Sequence, residues 1–193
     1  MELSEPRRRH SRRIGLRAGP AVSGCGSSDG PNTSGPFGHA GTDRWVQCFP
    51  VPRGGVGTFA GLEFSNRGGP ARIERVTLAD AHNLQIVSAW AVPITGLDLM
   101  GVFAGYPPVG YKGSFPGHLA PGVQWDQRQR VVAAVIPHSQ GQDVVNLVLV
   151  LKPSGVVGTA KDVDVNYVSG GTHYLRDFGV TVQVYNGNQK GCL

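Results

Sequence analysis

Long apolar runs, charge and helical periodicity are what this sequence has least of. No stretch comes near the roughly 18–20 consecutive apolar residues that carry a helix across a bilayer. The longest run, 144–151, is broken by Asn146 and has the length of a strand. Charged residues make up only 16% of the chain, and no window of ten or more shows the 3.6-residue stripe of an amphipathic helix. Cysteine is scarce as well: Cys25, Cys48 and Cys192 are the three present, and no two stand at zinc-ligand spacing. His39, His82, His118, His138 and His173 are scattered in the same way.

Nothing in the chain reads as a catalytic constellation. A glycine-rich loop opening a helix is missing, and with it a phosphate cradle. Gly26-Ser27-Ser28-Asp29-Gly30 matches G-x-S-x-G in letters alone, since that motif works only on a strand-to-helix turn. Asp126, Asp143, Asp162, Asp164 and Asp177 adjoin or alternate with apolar residues, as solvated strand faces do. The sequence therefore points to a protein that is not an enzyme, with no catalytic residue, no metal ligand and no cofactor assigned. Two alternatives stay open beside it: a metal- or small-ligand-binding protein using His118, His138 or His173, and a hydrolase whose site leaves no local motif.

Charge sits mainly at the start. Residues 1–24 hold six arginines against Glu2 and Glu5, a local +4, and the remaining 12 basic and 11 acidic residues come to +1. A nearly neutral remainder excludes the basic face of a nucleic-acid binder. The arginines have another use. Basic residues, an apolar centre and a small-residue cleavage site make an export signal. Arg12-Arg13-Ile14-Gly15-Leu16 has the form of a twin-arginine motif, and Val22-Ser23-Gly24-Cys25 has the form of a lipobox. Between them, 14–22 contains Arg17, Gly19 and Pro20, and is shorter in apolar groups than an export signal's centre. The competing reading is a basic tail with a chance V-S-G-C. With export, Cys25 is the lipidation site, the chain is tethered to the outer face of the cytoplasmic membrane, and 25–43 is a flexible Gly/Ser/Pro tether ahead of a domain over 44–193.

Outside the cell thiols oxidise, so Cys48 and Cys192 form the natural disulfide, closing a loop of about 144 residues; two unrelated thiols are the alternative. Within 44–193 the signals are those of strands. The 29 glycines and 14 prolines suit many turns. Val163, Val165 and Tyr167 alternate with polar neighbours, as do Phe178, Val180, Val182 and Val184, and Gly170-Gly171 supplies a tight hairpin turn in the region between. Ile73 is one residue out of phase with Val76 and Leu78, which suggests a bulge or a strand start. The segments 84–92 and 131–136 each read as a strand ending at a proline, and 144–151 reads as a central strand covered on both faces. Seven to nine strands predict an all-β, antiparallel, immunoglobulin-like sandwich.

One long stretch, 104–126, has no period. It carries Tyr106, Tyr111, Phe115 and Trp125, rigid amphipathic side chains that suit either a binding loop or a plug over one end of the sandwich. The lipobox, the polar tether, Trp45-Val46-Gln47-Cys48 and the segment from Tyr167 to Tyr174 together resemble small secreted lipoproteins of actinobacteria. That resemblance implies a single immunoglobulin-like sandwich with no assigned activity, and it transfers no catalytic residue. The partner expected is a protein or glycan of the cell envelope.

Overall fold

A computed structural model describes residues 33–38, 44–96, 100–108 and 121–187. The order is β1 (Trp45–Val51), β2 (Gly57–Phe64), β3 (Ala71–Ala79), β4 (Leu84–Ile94), β5 (Val102–Phe103), a 3-10 turn (Trp125–Gln127), β6 (Gln129–Arg130), β7 (Val135–Ile136), β8 (Val144–Pro153), β9 (Val157–Ala160), β10 (Asp162–Ser169), β11 (Thr172–Asp177) and β12 (Val180–Asn186). Among the described residues, nine strands have four residues or more, and β5, β6 and β7 are two-residue pairings. One layer is a five-stranded sheet in the order β5-β2-β8-β4-β6. The other is made of two sheets, β11-β10-β3-β7 and β1-β12-β9. The inward residues of all three meet in one core: Phe59, Leu62, Leu147 and Leu149 from the first layer, Ile73, Val163, Tyr167 and Val182 from the second.

This is an all-β sandwich of the immunoglobulin-like kind. The trio β2-β8-β4 occupies the B-E-D positions, while β3, β9–β10 and β11–β12 occupy C, F and G. One ladder is not antiparallel: β1 runs parallel to β12, with Trp45 opposite Val180 and Val51 opposite Asn186. The predicted central strand is β8, buried along nearly its whole length between β2 and β4.

The predicted C-terminal hairpin is present but bent. Ser169 faces Thr172 across Gly170 and Gly171, both at positive φ, so the turn is the two-residue kind that glycine makes without strain. Further down, Asp164 faces Asp177 while Ala160 faces Val182, which leaves one extra residue on the second arm. That bulge, at Phe178 and Gly179, bends the hairpin so that its near half joins one sheet and its far half the other. The phase slip at Ile73 is a bulge too. Asn166 faces Arg75 and Tyr167 faces Ile73, so Glu74 is the unpaired residue that resets the alternation.

Two expectations change. The segment 131–136 is not one strand. Val131 donates to Ala89 in the five-stranded sheet, whereas Ala133 donates to Ile73 and Ala134 accepts from Ile73 in the opposite layer. The chain crosses the sandwich here, turning at Ala133 with φ of 70°, and a crossing segment has no period of two to keep. Pro93 does not end its strand either. β4 runs on to Ile94, and the Pro93 carbonyl still accepts from Gln124 N–H at 3.0 Å.

Packing also reaches into the stretch read as tether. Phe37 is 3% exposed and stacks on Tyr167 with ring centroids 3.9 Å apart, and against Phe64 at 4.5 Å. Its N–H donates to Tyr167 Oη at 3.3 Å, and Arg67 N–H donates to Pro36 at 2.9 Å. A Cβ on Gly35 would collide with that same Tyr167 hydroxyl, so only glycine lets the backbone lie this close. The 33–38 segment thus packs onto the sandwich through Phe37 and Pro36.

Candidate functional site

The outer face of the five-stranded sheet carries a second, smaller apolar cluster of Ala60, Val92, Ile94, Met100, Val123 and Val148. It is covered by residues 100–108 and 121–125, which enter the 104–126 stretch from either side. Over 100–108, Ala60 N–H donates to Gly101 at 3.0 Å, β5 pairs with β2, and the buried Thr58 hydroxyl donates to the Gly105 carbonyl. Over 121–125, Thr95 N–H donates to Gly122 at 3.0 Å and Val123 bridges to Ile94. These described ends are stitched to the face of the sheet.

On this base three aromatic rings gather. Trp90 points outward from β4, because its neighbour Ala91 points into the main core. Tyr106 lies nearly parallel to Trp90, with an interplanar angle of 8° and centroids 6.4 Å apart, and meets Trp125 edge-on at 6.2 Å. Two guanidinium groups complete the arrangement. Arg128 stands 5.3 Å from the Trp90 centroid and 4.9 Å from that of Trp125, and its Nη1 donates to the Trp125 carbonyl at 3.0 Å. Arg130, paired with Trp90 across β4 and β6, stands 5.1 Å from the Trp90 ring on its own account. The attraction is that of a cation for the negative face of an aromatic ring. Trp90, Tyr106, Trp125 and Arg128 are half-buried and Arg130 is exposed. Trp90 Nε1 and Arg128 Nε are enclosed without a hydrogen-bond acceptor. Tryptophan, tyrosine and arginine are the residue types enriched where binding energy concentrates.

Of the residues the sequence singled out, Tyr106 and Trp125 come together, while Tyr111, Phe115 and His118 lie outside the described residues, as do Cys25 and Cys192. Trp90, Arg128 and Arg130 were missed. The signal for them is the outward phase of Trp90 on β4, together with Arg128 and Arg130 spaced two apart like residues on one face of a strand. Cys48 lies on β1, opposite Gln183 of β12. His138 and His173 are engaged separately, Nδ1 of the first with the Gly68 carbonyl at 3.0 Å and Nδ1 of the second with Glu74 at 3.1 Å. Among the described residues, no three histidine, cysteine or carboxylate side chains converge as metal ligands would.

The aspartates are not all solvated. Asp162 is buried at the bend of the hairpin, where its Oδ1 accepts from Val163 N–H at 2.7 Å and from Val180 N–H at 3.3 Å. Arg44 Nη1 stands 3.2 Å from its Oδ2, and Arg44 Nη2 stands 3.6 Å from Asp177. Burial, and then the neighbouring Asp177 carboxyl, push the Asp162 pKa up; burial and Asp177 do the same to Asp164. These groups brace a backbone bend. Comparison with known protein families and with curated proteins returns no match.

Proposed function

We propose that this chain is a non-enzymatic binding domain of the cell envelope, held to the outer face of the membrane by a lipid on Cys25 and closed by a Cys48–Cys192 disulfide. Its partner is a protein or glycan of the envelope, engaged through the Trp90–Tyr106–Trp125 face. The observation that carries the reading is the clustering of three aromatic rings and two guanidinium groups on one outer sheet face. Such rings offer large contact area at small entropic cost, and the arginines add charge that a sugar acid or an acidic protein surface would meet.

The test compares the native chain with Tyr106→Ala and Trp125→Ala, each immobilised and presented with purified cell-wall glycan and, separately, with detergent-extracted envelope proteins. The face is responsible if either variant loses binding by about tenfold or more, the loss expected of a central aromatic anchor. Undiminished binding by both variants would put the partner elsewhere. Mass spectrometry of the protein recovered from its host reads the anchor directly, as a diacylglyceryl group on an N-terminal Cys25.

A further inference from the structure

The edge of a sheet presents unpaired backbone groups to any strand that can reach it, and folds blunt their edges with short strands, proline or bulges. Among the described residues six strands stand at edges, and five of them are blunted. β5, β6 and β7 have two residues each, β9 has four, and β1 carries Pro50. β11 is the exception. It has six residues, no proline and an unbroken register with β10, its one neighbour.

The groups it turns outward follow from that register. Ser169 and Thr172 flank a two-residue turn, and Phe178 N–H donates to the Val163 carbonyl at 3.2 Å. Thr172, Tyr174 and Arg176 therefore direct their N–H and C=O toward β10, and His173, Leu175 and Asp177 direct theirs away from it. Among the described residues no backbone group bonds to those three from outside. The 33–38 segment lies against Tyr174 and Arg176, yet it gives β11 no backbone hydrogen bond. Arg176 itself is folded over the Phe178 ring, 4.9 Å from the centroid.

We propose that this edge pairs with the same edge of a second copy of the chain, antiparallel and centred on Leu175. The charges of the strand choose the register. Centred on Leu175, His173 of each copy lies opposite Asp177 of the other, on one face of the joined sheet. Both side chains are accessible, at 70% and 43% exposure, and Asp177 keeps its contacts with Gly179 and Arg44. Centring on His173 sets imidazole against imidazole, and centring on Arg176 sets guanidinium against guanidinium, which is destabilising. Centring on Tyr174 pairs no opposite charges. In the Leu175 register His173, Leu175 and Asp177 each meet an outward residue of the second copy and exchange two N–H···O=C bonds with it. The contact is isologous and closes as a dimer. Its dyad stands perpendicular to the sheet, so the Trp90–Tyr106–Trp125 faces of the two copies point the same way.

The experiment is sedimentation velocity of the full chain from about 1 to 300 µM, with amide hydrogen exchange at both ends of that range. So small a contact should give a monomer–dimer equilibrium with Kd on the order of 10–100 µM. The amides of His173, Leu175 and Asp177 should gain protection as concentration rises, while those of Tyr174 and Arg176, already bonded to β10, stay as they were. Leu175→Pro removes an N–H that β10 does not use, so it spares the ladder and should weaken the dimer at least about tenfold. His173→Asp sets carboxylate against carboxylate twice per dimer and should weaken it about five- to tenfold, whereas His173→Lys should not weaken it. Circular dichroism checks that each variant is folded, and His173→Asp decides should the proline variant not fold. A chain still monomeric at about 300 µM, or protection at these three amides that ignores concentration, overturns the proposal. So does a Leu175→Pro dimer of native strength. A dimer lost in Trp125→Ala would place the contact on the aromatic face and overturn it as well; one that survives there while envelope binding fails keeps the two surfaces apart.

Discussion

Asn66 is fully buried, and its amide donates to the carbonyls of Gly69, Ile136 and Pro137 at 2.9 to 3.1 Å while its carbonyl accepts from Gly68 N–H at 3.0 Å. Its backbone N–H donates to the Ser139 hydroxyl at 2.9 Å. One side chain thus ties the turn after β2 to the chain leaving β7. Asn66→Ala strands the Ile136 and Pro137 carbonyls and the Gly68 N–H, leaves the Gly69 carbonyl to Ser169 alone, and should lower stability by about 2–4 kcal/mol, seen as a shifted urea midpoint. The sequence shows Asn66 as a turn residue and no more, because its partners lie some seventy positions away. Phe37 was legible only as the one large apolar group in a polar stretch. Phe37→Ala removes a ring stacked between Tyr167 and Phe64, and should cost about 3–5 kcal/mol in the same assay. A cost near zero would mean the 33–38 segment adds nothing to the folded domain.

At the scale of elements, period-two alternation located β10 and β12, the near-continuous apolar run over 144–151 located β8, and Gly170-Gly171 located the turn, since each is a local property of the chain. The bend between the halves of the hairpin was not local. It depends on Asp162, whose place among Val163, Val180, Asp177, Asp164 and Arg44 exists only once the sheets have met. Because burial and Asp177 raise the folded-state pKa of Asp162 above its ordinary 3.8, the folded chain holds this proton more tightly than the unfolded one. Its contribution is therefore fully present below pH 3.8 and is lost as pH rises through the folded-state value. Asp162→Asn keeps an oxygen for Val163 and Val180 without the ionisation. Urea midpoints should then show the variant gaining on the native chain at pH 7 relative to pH 4. A larger loss at pH 7 than at pH 4 would mean that the charge itself, through Arg44, holds the bend. The aromatic face was half legible for the same reason as the bend. Tyr106 and Trp125 belong to one conspicuous stretch, but Trp90 joins them only through the pairing of β4 with β6.

For the whole molecule, an all-β sandwich followed from composition, turns and alternation, and the missing helical stripe removed the main competitor. The parallel β1–β12 ladder was beyond reach, because nothing near Trp45 names Val180 as its neighbour. That ladder gives the proposed Cys48–Cys192 disulfide a sharp test. By chain entropy a bridge closing so long a loop stabilises by up to roughly 5 kcal/mol. Reduction, or Cys192→Ser, should move the urea midpoint far to lower concentration, whereas an unchanged midpoint under reductant dismisses the bridge.

The β1–β12 pairing also decides how the domain bears load. A tension that draws the start of β1 one way and the end of β12 the other slides two parallel neighbours past each other along their length. The pairs from Trp45 and Val180 to Val51 and Asn186 then share the pull, where a strand peeled from its end would give up its bonds one at a time. In the proposed envelope role, a domain fixed at its N-terminal side and tugged from its C-terminal side would meet that force with its most resistant geometry.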